Sequence, residues 1–234
     1  MNNLSGKKVL ITGGSSGIGK ATAIELVANG ATVCITGRDK IKLENVASEI
    51  KAIPIHLDVS KYNNIAVKTL DAFHSMGGMD VLINNAGIGE FAKLEDIKVN
   101  HFENIFATNV FGLTMLTQEV VKFFKTQQHG TVINIGSSAA TSGFPSGSVY
   151  CASKFALRGL TECWRHELRK DNIRVILVNP SEVPTAFNNK ERVESEEKEN
   201  KLSSKEISHA IVSAINMDKR GFIPELNVWA TNPF

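Results

Sequence analysis

The sequence predicts an α/β fold, in which a doubly wound and mainly parallel sheet of about seven strands carries helices on both faces. Short apolar runs alternate with helical patterns almost from end to end, and strict alternation of this kind is typical of β-α-β units. Most of the runs are continuously apolar, which indicates strands that are buried on both faces. The 234 residues suit one such unit, so we expect a single domain over residues 1–234.

Seven apolar runs are predicted as strands, at residues 9–12, 32–36, 53–57, 81–84, 131–135, 175–178 and 222–228. The longer segments between them have helical patterns, at residues 17–28, 41–49, 65–74, 102–125, 149–169 and 205–217. Pro54 does not suit a strand interior, so the third strand should start near it or lie at a sheet edge. Ligands of such sheets bind at the carboxyl ends of the strands, where the motifs below fall.

The composition is that of an ordinary globular protein, with 42% hydrophobic and 21% charged residues. A net charge of +2 gives no reason to expect nucleic acid or an anionic membrane as a partner. The apolar run at residues 9–11 is too short for a membrane segment. Three cysteines without a C-x-x-C pair favour reduced thiols and a cytoplasmic location. Six scattered histidines show no metal-binding spacing, so we expect no metal.

A glycine-rich loop joins the first strand to the first helix. It reads Thr12-Gly13-Gly14-Ser15-Ser16-Gly17-Ile18-Gly19, with the spacing G-x-x-x-G-x-G rather than the G-x-G-x-x-G of the plain dinucleotide motif. Glycines allow a tight turn and let a pyrophosphate approach the N-terminus of the helix. We therefore expect six cofactor contacts here: Gly13, Ser15, Ser16, Gly17, Ile18 and Gly19.

The end of the second strand indicates which dinucleotide binds. An NAD site places an acidic residue there, but Gly37 stands at that position and Arg38 follows. The guanidinium of Arg38 can pair with the 2′-phosphate of NADP. The alternative is that Asp39 binds a ribose hydroxyl and that Arg38 is merely exposed. We expect NADP(H), with Arg38 as the phosphate ligand. Turn residues after the third and fourth strands should line the adenosine site: Asp58, Val59, Asn85, Ala86 and Gly87.

Tyr150 and Lys154 stand four residues apart, and Ser137 lies thirteen residues before the tyrosine. In a helix, this spacing places phenol and ammonium one turn apart on one face. A phenol has a pKa near ~10, and a fixed ammonium should lower that pKa, although desolvation opposes the change. By itself, the pair is better explained as a solvated lysine beside a half-buried tyrosine. The other motifs of the chain decide against that explanation.

The motifs T-G-x-x-x-G-I-G (12–19), N-N-A-G (84–87), Asn109, Ser137 and Y-x-x-x-K (150–154) occur in this order. With them, the chain resembles the short-chain dehydrogenase/reductase family from about residue 9 to residue 185. It is most similar to NADP-dependent reductases of ketoacyl, hydroxy-acid or general carbonyl substrates. The resemblance implies a Rossmann-like domain and hydride transfer between nicotinamide and a carbonyl or secondary alcohol.

The resemblance also implies a role for each residue of the candidate catalytic set. Tyr150 would be the general acid in reduction and the base in oxidation, while Ser137 would bind the substrate oxygen, with Ser138 as the alternative. Lys154 would lower the pKa of the tyrosine and hold the nicotinamide ribose. Asn109 would hold a water that links Lys154 to solvent. Its alternative is a polar residue that binds backbone within a helix.

After the sixth strand, the family usually continues P-G-x-V-x-T, and this chain has Pro180-Ser181-Glu182-Val183-Pro184-Thr185. The resemblance implies that Pro180, Val183 and Thr185 touch the nicotinamide. Ser181 replaces the glycine, which puts a positive φ there in doubt. The mixed-charge stretch that follows is either a solvated segment or a substrate lid at about residues 186–204.

Three phenylalanines fall in loops near the expected site, and they either wall the pocket or anchor the loops: Phe91, Phe144 and Phe187. The apolar last strand indicates a homodimer or homotetramer, as such an edge often does in this family. A non-catalytic dinucleotide sensor on the same fold is the main alternative to an enzyme, but it has no need of a tuned phenol. A serine hydrolase that uses Ser137 with Lys154 is weaker, because no G-x-S-x-G turn surrounds the serine.

Overall fold

Seven parallel strands form one sheet in the computed structural model, which describes residues 4–188, 196, 198–218 and 220–233. In chain order they are β1 (Lys8–Ile11), β2 (Thr32–Gly37), β3 (Ile53–His56), β4 (Val81–Asn84), β5 (Gly130–Ile135), β6 (Ile173–Pro180) and β7 (Glu225–Val228). The sheet order is β3-β2-β1-β4-β5-β6-β7, and each pair of neighbours runs parallel. The predicted doubly wound α/β fold is therefore confirmed.

Helices cover both faces of the sheet. They are α1 (Gly17–Ala28), α2 (Lys40–Ile50), α3 (Ile65–Met76), α4 (Val99–Phe106), α5 (Leu113–Gln127), α6 (Ser148–Leu168) and α7 (Ser204–Ile215). Leu26, Leu43 and Ile211 place α1, α2 and α7 in the core on one face. Residues of α3, α5 and α6, such as Val120, belong to the core on the other face. Burial on both faces explains why the strand sequences are continuously apolar.

The helix predicted at residues 102–125 differs from the structure in two respects. It begins earlier, at Val99, and a π-helical turn over Ala107–Gly112 separates α4 from α5. This turn carries Asn109. A Cβ atom at Gly112 would lie 2.1 Å from the carbonyl oxygen of Val59, so the turn passes close to the loop after β3. The apolar period of the sequence continues through the turn and gives no sign of it.

The strands at the two edges of the sheet are the third and the last, β3 and β7. Pro54 lies in β3, which is an edge strand, where a missing N–H is tolerated. At the other edge, Trp229 directly follows β7 and is 64% exposed. The homodimer or homotetramer remains a prediction. The three cysteines are free thiols, and in the described part of the chain no helix is long and apolar enough to cross a membrane.

Candidate active site

A cavity of about 750 Å³ lies at the carboxyl ends of the strands, where β1 and β4 are neighbours and the chain changes direction across the sheet. Most of the residues predicted from the sequence line it: Gly13, Ser15, Ser16, Gly17, Ile18, Arg38, Asp58, Val59, Asn85, Ala86, Gly87, Ser137, Tyr150, Lys154, Pro180, Val183 and Thr185. Gly19 and Asn109, although predicted, do not line the cavity. The structure thus brings together residues that are far apart in the sequence.

Thr12 and Asn85 hold the glycine-rich loop in place. The Thr12 hydroxyl accepts hydrogen bonds from the backbone N–H groups of Asn85 and Ala86, both at 3.0 Å. The Asn85 side chain donates to the carbonyls of Thr12 and Gly13, also at 3.0 Å. A Cβ atom at Gly19 would lie only 2.3 Å from the Gly13 carbonyl oxygen. Gly19 therefore supports the loop from behind.

The glycine-rich loop leads into the N-terminus of α1, and the backbone there suits an anion. Gly13 and Gly17 have φ values of 64° and 51°, which favour glycine. The side chain of Ser16, the N-cap residue, makes no capping hydrogen bond, and the first turn of α1 contains no acidic residue. The dipole and backbone N–H groups of this turn thus favour a phosphate group. The residues present fit the pyrophosphate of a dinucleotide.

Arg38 and Lys42 line one end of the cavity together with Asp39 and Asp58, so two cations and two carboxylates lie at this end. We call this the nucleotide end. Asp39 caps α2, because its Oδ1 accepts a hydrogen bond from the backbone N–H of Lys42 at 3.0 Å. The alternative role of Asp39 as a ribose ligand therefore competes with a structural one. Sequence reasoning missed Lys42, although it lies only four residues after Arg38 in the sequence.

Tyr150 and Lys154 lie one turn apart on α6, as the spacing predicted, and both are buried. The Lys154 ammonium donates a 2.8 Å hydrogen bond to the carbonyl of Ile135 at the end of β5. The same nitrogen lies 5.7 Å from the centre of the Tyr150 ring. The explanation of a solvated lysine is therefore wrong.

The expected lowering of the tyrosine pKa is wrong for this structure. Burial raises the pKa of Tyr150 to about 12, and a side-chain hydrogen bond with Ser137 only partly opposes this rise. Burial likewise lowers the pKa of Lys154 to about 8. The physical reason is that burial removes both side chains from water, and desolvation disfavours the charged form of each.

Ser137 is held by a residue that sequence reasoning did not find. Its backbone N–H donates to the Oδ1 of Asn179 at 3.2 Å, and its hydroxyl accepts from the N–H of Ala139 at 3.1 Å. Asn179 lies in β6 and is only 1% exposed. A Cβ atom at Gly136 would lie 2.1 Å from the same oxygen, so the approach needs a glycine there. Ser138, the alternative, also lines the cavity, but of the two serines only Ser137 affects the pKa of Tyr150, which favours Ser137.

Asn109 binds backbone, although not within its own helix. Its Oδ1 accepts from the N–H of Ile88 and its Nδ2 donates to the Ile88 carbonyl, each at 2.9 Å, while Nδ2 also donates to the Ser153 hydroxyl at 3.1 Å. The side chain thus fixes the loop after β4 and connects it to α6. The predicted water-holding role of Asn109 therefore remains a prediction.

Three phenylalanines form one side of the cavity, and we call Phe91, Phe144 and Phe187 the aromatic wall. Phe91 and Phe187 each contact the Tyr150 ring edge-on, with ring centres 5.7 Å apart. Phe144 lies one step further out, 5.9 Å from Phe91. Of the two roles predicted for these residues, walling the pocket is therefore confirmed.

The remaining predictions concern the stretch after β6 and metals. Ser181 is not among the described non-glycine residues with positive φ, and its N–H pairs with the carbonyl of Val228 at 2.8 Å. In the proposed lid at about residues 186–204, residues 189–195 and 197 lie outside the described part. Among the described residues, no cluster of three or more His, Cys, Asp or Glu side chains could hold a metal ion.

The fold and the cavity together define a Rossmann-like dinucleotide-binding protein. The profile of the short chain dehydrogenases matches residues 7–196, and the chain belongs to this family. It is 34% identical over 195 residues to the NADP-dependent 3-hydroxy acid dehydrogenase of Schizosaccharomyces pombe, covering 80% of this chain and 75% of that one.

Two solved structures share the whole architecture. The alcohol dehydrogenase of the archaeon Thermococcus sibiricus, complexed with 5-hydroxy-NADP, matches with a TM-score of 0.88 and 26% identity over 96% of this chain and 97% of that one. The 3-ketoacyl-(acyl-carrier-protein) reductase of Brucella melitensis, complexed with NADH, matches with a TM-score of 0.87 and 28% identity over 99% and 100%. The resemblance seen in the motifs is therefore confirmed.

Proposed function

We propose that this protein is an NADP(H)-dependent oxidoreductase, which transfers a hydride between nicotinamide and a carbonyl or secondary alcohol. The substrate would be a small ketone, a 3-oxoacyl compound or a 3-hydroxy acid. One observation carries the proposal: Tyr150 lies beside Ser137 and Lys154 in the wall of a cavity whose other end suits a dinucleotide.

The nucleotide end supports NADP(H) as the cofactor. Arg38 and Lys42 both line it, and two cations suit a 2′-phosphate better than a 2′-hydroxyl. When bound, the cofactor would supply the hydride of the reaction. The two solved structures do not by themselves decide between NADP(H) and NAD(H), because one holds an NADP derivative and the other holds NADH.

Tyr150 suits the role of proton donor in the reductive direction. Because burial raises its pKa to about 12, the phenol keeps its proton at neutral pH and can give it to the substrate oxygen. The Ser137 hydroxyl can donate a hydrogen bond to the same oxygen as negative charge develops there. The nearby ammonium of Lys154 would stabilise the phenolate that remains.

The test follows NADPH absorbance with a panel of ketones, aldehydes and ketoacyl thioesters. We expect Tyr150→Phe to abolish turnover while NADPH still binds, because the ring stays and only the acidic proton is lost. Tyr62→Phe is the matched control, since the chain has two tyrosines and Tyr62 is 40% exposed. Activity retained by Tyr150→Phe would contradict the acid assignment. NADPH binding without turnover of any substrate would instead support the sensor.

A further inference from the structure

Two rings of the aromatic wall are more exposed to the cavity than side chains that only pack the protein core. Phe91 and Phe144 line the cavity, yet each is 45% exposed. A Cβ atom at Gly89 would lie 2.7 Å from Phe187 and 3.0 Å from Phe91, so this loop closes tightly behind two of the rings. Exposed rings inside a concave site are typical of a surface that binds an apolar group.

Charged side chains are distributed unevenly among the described residues of the cavity. Four of the six lie at or beside the nucleotide end, and the other two have protein partners: Arg38, Asp39, Lys42 and Asp58, then Lys154 and Glu182. Lys154 donates to the Ile135 carbonyl, and Glu182 forms a 2.7 Å ion pair with Lys201. Among the described residues that line the cavity, only Lys154 brings a cation close to the aromatic wall, and that ammonium already donates to a carbonyl. A carboxylate bound there would have little to offset the hydration that it loses.

We propose that the substrate is an uncharged ketone that carries a flat apolar group, such as a phenyl ring, next to its carbonyl, and that the aromatic wall binds this group. The inference rests on the proposed function, since it places the carbonyl oxygen at Tyr150. It selects neutral ketones over free oxo or hydroxy acids.

The order of the rings explains how the aromatic wall would select ketones by the size of the group next to the carbonyl. Phe91 contacts Tyr150, and Phe144 contacts Phe91, so the rings lead from the reacting position towards the outside. A substituent bonded to the carbonyl carbon would lie against Phe91, and a group as long as a phenyl ring would reach Phe144. Offset or edge-on contacts between aromatic rings favour that arrangement. A methyl group would leave Phe144 without a contact.

Three substrates test the charge and the shape separately: ethyl benzoylacetate, ethyl acetoacetate and acetoacetate. The two acetoacetates share their carbon chain up to the carboxyl group and differ in charge and in the ethyl group of the ester. We expect kcat/KM for ethyl acetoacetate to exceed that for acetoacetate by at least about tenfold, because the anion is desolvated without a partner. We expect kcat/KM for ethyl benzoylacetate to exceed that for ethyl acetoacetate by about tenfold.

Phe144→Ala links the preference to the wall. It should lower kcat/KM for ethyl benzoylacetate about tenfold, mainly through KM, and change that for ethyl acetoacetate less than about threefold. Phe102→Ala is the matched control, because Phe102 is 41% exposed and does not line the cavity.

The outcomes separate the two proposals. If none of the three compounds nor any other carbonyl is reduced, the proposed function fails. If carbonyls are reduced but acetoacetate is used as well as its ester, or if Phe144→Ala affects both esters equally, the aromatic substrate class is wrong and the oxidoreductase stands.

Discussion

Asn179 accepts a hydrogen bond from the backbone N–H of Ser137 at 3.2 Å, and it thereby holds the serine whose side chain lowers the pKa of Tyr150. Its Nδ2 donates to Glu225 in β7 at 2.8 Å, and Glu225 in turn pairs with Arg158 at 3.4 Å. Arg158 lies on α6, one turn beyond Lys154. The polar chain therefore connects the helix of the tyrosine to the loop of the serine.

Removal of the Asn179 side chain should impair the chemical step more than binding. In Asn179→Ala we expect kcat to fall about tenfold, because the loop loses the acceptor that orients Ser137. The KM for NADPH should change less than about twofold, because Asn179 does not line the cavity. Steady-state kinetics with both substrates varied would measure the two effects.

Asn134→Ala is the control for lost stability. Asn134 is a fully buried asparagine in β5 whose partners are Asn84 and Thr161. Asn134→Ala should lower the melting temperature about as much as Asn179→Ala does, and it should leave kcat nearly unchanged. Equal losses of kcat in the two variants would mean that Asn179 acts only through stability.

A charge exchange provides a second test of the same chain of contacts. Asn179→Asp places a carboxylate against that of Glu225, so kcat should fall. Adding Glu225→Gln supplies an amide donor in place of the carboxylate, and it should restore much of the lost kcat. A double variant no better than Asn179→Asp would show that the link to β7 does not position Ser137.

Lys154 should make the free energy of unfolding depend on pH. The folded pKa of about 8 lies below the ordinary 10.5. Between these values the unfolded chain holds a proton that the folded chain has lost, so stability rises with pH. The contribution approaches about 1.4 kcal/mol per pH unit above about pH 8. Urea unfolding from about pH 7 to about pH 9.5 would measure it.

Lys154→Met should remove this rise of the free energy of unfolding with pH. The difference between the wild type and the variant therefore isolates the contribution of Lys154. Burial raises the pKa of Cys34 and that of Tyr150 to about 12 each, which lowers stability above about pH 9 and about pH 10. Both effects are common to the two proteins and cancel in the difference. Lys122→Met, at an exposed lysine, should keep the wild-type profile. Parallel profiles for the wild type and Lys154→Met would contradict the burial argument.

The sequence predicted the features of this protein that depend on local periodicity. All seven strands were located, because burial on both faces leaves continuously apolar runs. Tyr150 and Lys154 were placed on one face, because the helical period fixes what four residues of spacing mean. The glycine-rich loop was located by its strand–turn–helix context, although the role of Gly19 as a support came only from the packing.

The features that the sequence did not predict depend on contacts between distant segments. Asn179 meets Ser137 across 42 residues, through the pairing of β5 with β6. The π-helical turn carries Asn109, whose side chain binds Ile88 in another loop, 21 residues away in the sequence. The pKa of Tyr150 was predicted in the wrong direction, because spacing gives the distance of a charge but not the depth of burial.

Arg38 and Lys42 should together determine the preference for NADPH. Each alanine variant should weaken NADPH binding about 10- to 100-fold, since each removes a charge-assisted contact, and should leave NADH binding nearly unchanged. Arg38→Asp should reverse the preference. Fluorescence titration with both dinucleotides would measure the affinities.

Lys40→Ala is the control for general loss of positive charge near the site. Lys40 lies at the start of α2 between the two cations, is exposed and does not line the cavity. It should lower NADPH affinity less than about twofold, since exposed charges are screened by salt. An unchanged NADPH/NADH affinity ratio in both Arg38→Ala and Lys42→Ala would place the 2′-phosphate elsewhere.

Gly19→Ala should damage the glycine-rich loop without touching the cavity. The added Cβ would lie 2.3 Å from the Gly13 carbonyl and 2.5 Å from the Asn85 amide, and neither backbone nor a hydrogen-bonded amide can give way cheaply. We expect a loss of about 2 kcal/mol in stability and weaker binding of the dinucleotide. Gly159→Ala in α6 is the control, because its Cβ meets no described atom within 4 Å and alanine favours a helix. If Gly19→Ala melted and bound NADPH as the wild type does, the close packing behind the loop would not be needed to shape it.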